Sequence, residues 1–443
     1  MSPLPPGWEL RRLDDIAEVR LGRQRSPKNH SGTQMRPYLR AANVDWTGLK
    51  LSDVKQMNFT DDEMVIYRLQ PGDIVLSEAS GSPGEVGKPG LWTGEIHDCA
   101  FQNTLIRVRS RGPEPRYLLH YFRHLARSRA FADESRGVGI HHIGRAKLAA
   151  WQIPVPPANE QRRIVDILED HLSRLDAAHR LALAAGHRTE ALDRSTLLEA
   201  VTGRFLHRVA EKPSSTYAGR QLPEGWRWAA WGEIGRSQNG RAFPSKDYQN
   251  RGVRLVRPGN LSADGSMSWT PKNTRCLPDA YRDANPTMRI GPGELVMNLT
   301  AQSLKDDFLG RVRMTGPNED ALLNQRLARL TPESITARFA YYVFRSPLFR
   351  DFVSTLNTGS LIQHMFRKQI DDFLLPVPPV AAQVRIATHL DEVLEGSSRT
   401  RRSCVDVRER GSTLRRALLV GAFLGQLTRQ GADADWQAEV AGV

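Results

Sequence analysis

The chain has 443 residues, 25% of them charged and 40% hydrophobic, which is too long for one ordinary domain and enough for two or three with cores of their own. No stretch of about eighteen apolar residues occurs, so no membrane-spanning helix is expected, and the opening MSPLPPGWELRRLDD lacks the apolar segment of a signal peptide. The formal charge of +13 and pI near 9.9 favour a polyanionic partner.

In chain order, a first globular segment runs from Leu4 to about Val155. LPPGW, Leu4–Trp8, reads as a turn with an anchoring tryptophan, and LDDIAEVRLGR as a short amphipathic stretch ending at Gly22. PYLRAANVDWTG (Pro37–Gly48) mixes strand formers with turn residues. LQPGDIVLS (Leu69–Ser77) predicts a Pro-Gly turn feeding a buried strand, and FQNTLIRVR (Phe101–Arg109) another strand. YLLHYFRHLARSRAF has helical spacing, and the glycine-rich RGVGIHHIGR leads to the exit IPVPP. Those prolines are extended and refuse helix.

A long helix follows. Ile164, Leu168, Leu172 and Leu175 keep a helical period, and no proline interrupts about fifty residues, a rod of roughly 70 Å at ~1.5 Å per residue. So long a rod has little core of its own and needs a partner helix. After a polar linker, 208–221, the whole order repeats. LPEGW answers LPPGW, RLVRPGNLSADG answers PYLRAANVDWTG, IGPGELVMN answers LQPGDIVLS, and LLNQRLARL answers FQNTLIRVR. FAYYVFRSPLF and NTGSLIQHMFRKQ answer the Tyr117 helix and the glycine loop. LPVPPVAAQVRIATHLDEVLE then opens a second long helix. Pro154 and Pro376, Gln161 and Gln383, Ile164 and Ile386, and Gly203 and Gly425 are each 222 positions apart, so the chain is an internal duplication. The predicted divisions are 1–157 and 222–379 for two globular domains, 158–207 and 380–428 for the helices, and a frayed tail at 429–443.

The helices are expected to pair along a heptad-like seam, Ile164, Leu168, Leu175, Ala182 and Leu192 in the first, Ile386, Leu390, Val393, Cys404, Val407, Leu414 and Leu418 in the second. Small or polar residues at Ala185, Ser397 and Gly411 suit close backbone approach or a groove for helices of another protein. Ala158–His207 carries seven arginines against eight acids and Val380–Thr428 eight against five, so most of the positive excess belongs to the globular segments. Their candidate DNA-contacting residues are Arg20, Arg23, Arg25, Lys28, Arg40, Asn43, Gln102, Arg136, His141, His142, Arg145 and Lys147 in the first half. The second half offers Arg236, Arg241, Arg254, Arg257, Asn260, Gln363, His364, Arg367 and Lys368. Arginine and lysine neutralise phosphates, arginine grips guanine edges, and asparagine or glutamine matches adenine.

Catalytic patterns are weak. GSPGEVGK (Gly81–Lys88) has its glycines six apart where a phosphate-binding loop has five, and Pro89 stands where a magnesium-binding hydroxyl belongs. Asp73, Glu78, Glu85 and Lys88 have no nuclease spacing, Asn285-Pro286 lacks the rest of an adenine methyltransferase motif, and no ligand set completes His141-His142. Cys99, Cys276 and Cys404 are scattered and read as reduced thiols of a cytoplasmic protein, with no metal expected.

The paired LPPGW and LPEGW openings, PGDIVLS and PGELVMN, IPVPPANEQRRI and LPVPPVAAQVRI, and the helix ends LLEAVTGRF and LLVGAFLGQL resemble the specificity subunit of type I restriction–modification systems, over roughly Leu4–Leu427. The resemblance implies an α+β fold with two mixed target-recognition domains, joined by two long antiparallel coiled-coil-like helices with pseudo-twofold symmetry. It also implies a non-catalytic subunit whose domains each read half of a split, asymmetric target in double-stranded DNA, with no cofactor of its own. Two methyltransferase subunits would bring S-adenosylmethionine, and restriction subunits using ATP and magnesium could join. The rivals are a scaffold or inhibitor indifferent to DNA sequence, and a fused methyltransferase or nuclease, which would need the cofactor or metal motifs that are weak here.

Overall fold

The structure is a computed structural model that describes residues 4–133, 141–204, 216–217, 219–263, 265–302, 307–356 and 363–428. Most of the 208–221 linker, all of the 429–443 tail and Arg136 lie outside the described residues. The chain divides into two compact units. One comprises 1–182 with 406–443, the other 183–405, so the division cuts both long helices.

In the first unit, Glu9–Arg12 pairs antiparallel with the exit strand Gln152–Val155, Leu10 opposite Pro154. The prolines are tolerated because the strand is an edge. A four-stranded sheet runs Ala17–Leu21, Leu105–Ser110, Ile74–Ser77, Pro89–Leu91, with the predicted PGDIVLS strand buried on both faces. The stretch LDDIAEVRL becomes a single helical turn, Leu13–Ile16, and then the strand Ala17–Leu21, because pairing with Leu105–Ser110 outweighs its helical spacing. A smaller sheet lays Ala100–Phe101 parallel to Met35–Leu39, which pairs on its other edge with Lys55–Asn58. Helix Pro115–Arg127 buries Tyr117, Leu118, Phe122 and Leu125.

The second unit repeats this plan. Arg227–Ala230 pairs with Leu374–Val377, Trp228 opposite Pro376. The four-stranded sheet runs Gly235–Asn239, Leu327–Pro332, Leu295–Asn298, Val312–Met314. Val253–Val256 lies parallel to Ala321–Leu323, as Met35–Leu39 does to Ala100–Phe101. The duplicated strands match one residue away from the pairing of LLNQRLARL with FQNTLIRVR that the sequence suggests. Arg23 bridges Gln102 and Arg241 bridges Asn324, so Gln102 corresponds to Asn324 and the offset is again 222. Gly22 and Gly240 are required at these crossings, because a Cβ on either would run into the carbonyl of Gln102 or Asn324.

The long helices are Ala158–Val201 and Val380–Phe423, 44 residues each. They stop short of His207 and Thr428 because Gly203 and Gly425 adopt left-handed backbone, with φ of 78° and 68°. A side chain there would also strike Pro223 or Pro5 of the LPEGW and LPPGW turns. In the first unit, Ile164, Val165, Leu168 and Leu172 share one core with Leu418, Leu419, Ala422 and Phe423. Glu160 accepts from the hydroxyl of Thr428 and Asp176 pairs with Arg415, so the two segments run antiparallel. In the second, Leu197, Ala200 and Val201 join Ile386, Leu390 and Leu394, and Asp193 pairs with Arg401. Leu175 and Leu414 are partly buried against the first core. Three seam positions differ from expectation, Val407 among them at 45% exposed. Leu192 is 58% exposed, and Leu394 rather than Val393 takes the buried place, because a straight helix drifts from a strict heptad over so many turns. The three cysteines are free thiols, and burial pushes Cys99 up to about 12.

Candidate nucleic-acid interface

The predicted contact residues separate by what already holds them. In the first unit Arg20 pairs with Glu18 at 2.7 Å and Arg40 with Asp53 at 2.6 Å. Lys55, and then Arg40, hold the Asp53 carboxyl below the usual carboxylate range. Arg23 is tightly held: it donates to the Asn58 carbonyl at 2.6 Å, pairs with Glu63 at 2.6 Å and covers the Phe59 ring. His142 sits 3.1 Å from Glu78, on a two-residue strand, His141–His142, that pairs with Ala79–Ser80. Gln102 is half-buried against Arg23. Arg25 (donating to His30), Lys28, Arg145 and Lys147 are exposed.

The second unit shows the same partition. Arg236 pairs with Glu333 at 2.5 Å and Arg367 with Asp371 at 3.2 Å. Arg254 is clamped between Glu319, at 2.9 Å, and the face of Trp269. Arg241 donates to the Asn285 side chain at 2.7 Å. Gln363–His364 pairs with Thr300–Ala301, repeating the His141–His142 ribbon, and His364 and Lys368 are exposed.

Asn43 and Asn260 must be corrected. Both are buried, and each is wholly used in shaping the turn it sits in. The Asn43 oxygen accepts from the Arg40 N–H at 3.1 Å while its amide donates to the carbonyls of Lys50 and Asp53. The Asn260 oxygen accepts from the Arg257 N–H at 2.9 Å and its amide donates to Ser268. Neither has a donor–acceptor edge left for adenine. They are repeated because the turn is repeated.

Residues outside the predicted contact set gather beside Arg257. A cleft of about 500 Å³ in the second unit is lined by Arg257, Lys272, Arg275, Gln325 and Arg326, with Tyr248 at one wall. No acidic residue lines it. The available signal is the polar Asn-Gln-Arg set inside LLNQRLARL: three polar residues amid leucines mark a turn projecting from the sheet.

Residues 5–183 match the family model described as the type I restriction modification DNA specificity domain, and the second unit repeats the order of the first unit's four-stranded sheet and its helix start. Residues 5–183 are thereby identified as a type I restriction modification DNA specificity domain, and the whole chain is similar to type I specificity subunits. The MjaVIII specificity subunit of Methanocaldococcus jannaschii is 20% identical over 397 residues, 88% of this chain and 87% of that protein. The EcoKI specificity subunit of Escherichia coli K12 is 22% identical over 462 residues, 98% of this chain and 91% of that one. The fold is shared with a chain of a solved type I system, at a TM-score of 0.71 and 21% identity, covering 96% of this chain and 99% of the other. It is also shared with the HsdS subunit of Thermoanaerobacter tengcongensis, at 0.53 and 22%, covering 95% and 98%.

The groups weighed for chemistry in the sequence are tied into the scaffold. Asp73 accepts two bonds of 2.7 Å from Arg109. Lys88 pairs with Glu85, whose carboxylate also accepts from the Trp46 indole at 2.8 Å. Asn285 bonds Arg241 and the Tyr281 carbonyl. Among the described residues, no three His, Cys, Asp or Glu side chains converge on a metal position, and no helix is long and apolar enough to cross a membrane.

Proposed function

We propose that this chain is the non-catalytic DNA-reading subunit of a type I restriction–modification complex, each unit contacting one half of a split, asymmetric duplex target. The observation that carries this reading is the duplicated frame. The same four-stranded sheet order, ribbon and helix-start contacts recur, while the cationic loops between them differ in sequence and in what holds them. Two copies of one scaffold with unlike loops suit two unlike half-sites.

The two 44-residue helices, about 66 Å at 1.5 Å per residue, would set the unread gap between the halves. A duplex turn is ~34 Å, so a rod of this length can fix a gap of a turn or more where a polar linker cannot. The exposed Val405, Val407 and Leu192 on the helices, and a groove of about 660 Å³ in the first unit lined by Leu175, Val407 and Leu414, suit docking of two methyltransferase subunits. Those partners would bring S-adenosylmethionine and extrude the target adenine. Restriction subunits would bring ATP and magnesium chemistry.

Co-expression with the cognate methyltransferase, followed by mapping of methylated adenines, tests the reading. A two-part motif with a constant gap is expected. Binding or methylation indifferent to sequence at moderate salt would favour a mere scaffold, and methyl transfer by the purified chain alone would establish an enzyme.

A further inference from the structure

The cleft of the second unit gathers several cations around one cavity with no acidic residue in its lining. Arg236, Arg254 and Arg367 each face a carboxylate. Arg257, Lys272, Arg275 and Arg326 face none within 4 Å among the described residues, although they border one cavity of about 500 Å³. Four cations held together without acids repel one another, and a bound polyanion relieves that repulsion.

The surroundings are built to hold these groups still. The Asn273 side chain accepts from the Thr270 N–H at 2.7 Å and donates to Gly259 at 3.0 Å and Ser268 at 3.1 Å, tying the 270–275 loop to the turn beneath Arg257. The Arg275 guanidinium donates to the carbonyls of Thr274, at 2.6 Å, and Lys272. Gln325 and Arg326 protrude between buried Asn324 and Leu327. Their backbone is pinned: Leu327 N–H donates to Asn324 at 3.0 Å, Leu299 N–H to Arg326 at 2.9 Å, and the Asn324 side chain accepts from Arg326 N–H at 3.2 Å. Two exposed side chains with bidentate geometry therefore stand on a fixed platform ringed by cations.

We infer that this cleft seats one strand of the second half-site, with Lys272 and Arg275 on phosphates and Arg326 and Gln325 on neighbouring base edges in the major groove. Arginine pairs bidentately with guanine and glutamine with adenine, so the second half-site carries a G·C pair beside an A·T pair. The corresponding residues of the first unit are Thr104 and Asn103, and the Thr104 hydroxyl is engaged by the Ala41 N–H at 3.0 Å. The device belongs to one half only. The inference rests on the DNA-reading function proposed above.

The test uses the complex with its methyltransferase partner and maps methylated sites for R326A, R326K, Q325A and the double variant K272A/R275A. R326A should relax selectivity at one G·C position of one half-site by about tenfold or more, and Q325A at the adjoining A·T position. R326K keeps the charge and the fold but should lose the guanine preference all the same. The K272A/R275A variant should keep the motif, bind more weakly at every site, and lower the slope of log affinity against log salt by about two. A wild-type two-part motif left unchanged by R326A, R326K and Q325A overturns this assignment while the DNA-reading function stands. Absence of any motif from the wild-type complex overturns that function, and the cleft assignment with it.

Discussion

At the scale of single residues, two glutamines tie the long helices to their domains. Gln161 accepts from the Glu114 N–H at 2.8 Å and donates to the Pro156 carbonyl at 2.8 Å. Gln383 does the same with Thr336 N–H, at 2.7 Å, and the Pro378 carbonyl, at 2.9 Å. Each pins the start of a long helix to the start of its domain's own helix. Both are buried, so Gln161→Ala or Gln383→Ala strands a donor and an acceptor and should cost about 2–4 kcal/mol in urea unfolding. Unfolding unchanged within about 0.5 kcal/mol would show the bonds to be dispensable.

His120 supplies a pH signature. Burial lowers it from its ordinary value of 6.5, and Glu169, whose carboxylate lies 3.6 Å away, only partly restores it. Arg123 and Arg116 also oppose its protonation, and burial lowers the neighbouring His124 in the same way. Below about 6.5 the unfolded chain binds protons that the folded chain refuses, so the stabilisation is full above that pH and is lost as pH falls toward the lowered value. The urea midpoint should therefore fall between pH 7 and 5.5, and the double variant H120L/H124L should flatten that fall. An equal fall in the variant would assign it to other groups.

At the scale of elements, the long helices are held by short apolar contacts at their ends. Ile386, fully buried in the same core as Leu197 and Val201, should cost about 2–5 kcal/mol when cut to alanine. Leu192, more than half exposed, should cost less than about 0.5 kcal/mol at its own seam position. Equal costs would mean that Leu192 is covered in the folded chain. The helix ends obey the same logic, since only glycine can take left-handed backbone while lying against a proline.

At the scale of the whole molecule, each compact unit draws on both halves of the sequence, since the first takes 1–182 together with 406–443. Removing the same number of turns from both helices should shorten the unread gap of the methylated motif and leave the bases of both halves intact. Exchanging the loops of one unit should alter one side of the motif only. Changes on both sides, or a gap insensitive to helix length, would contradict the proposed division of labour.

Much of this plan was legible in the sequence because it depends on short-range chemistry. Proline placement, helical period and a 222-residue offset determine where the long helices start and that the chain is doubled. The roles of polar residues were not legible, because a side chain's freedom depends on partners far away in sequence. Asn43 and Asn260 look like base readers until the turn closes around them, and Arg23 and Arg254 look free until Glu63 and Glu319 arrive. Gln325 and Arg326 look like parts of a strand until the platform leaves them standing in a cleft without acids. Composition and local pattern set the frame, while only tertiary packing decides which charges are neutralised within the protein and which remain for a ligand.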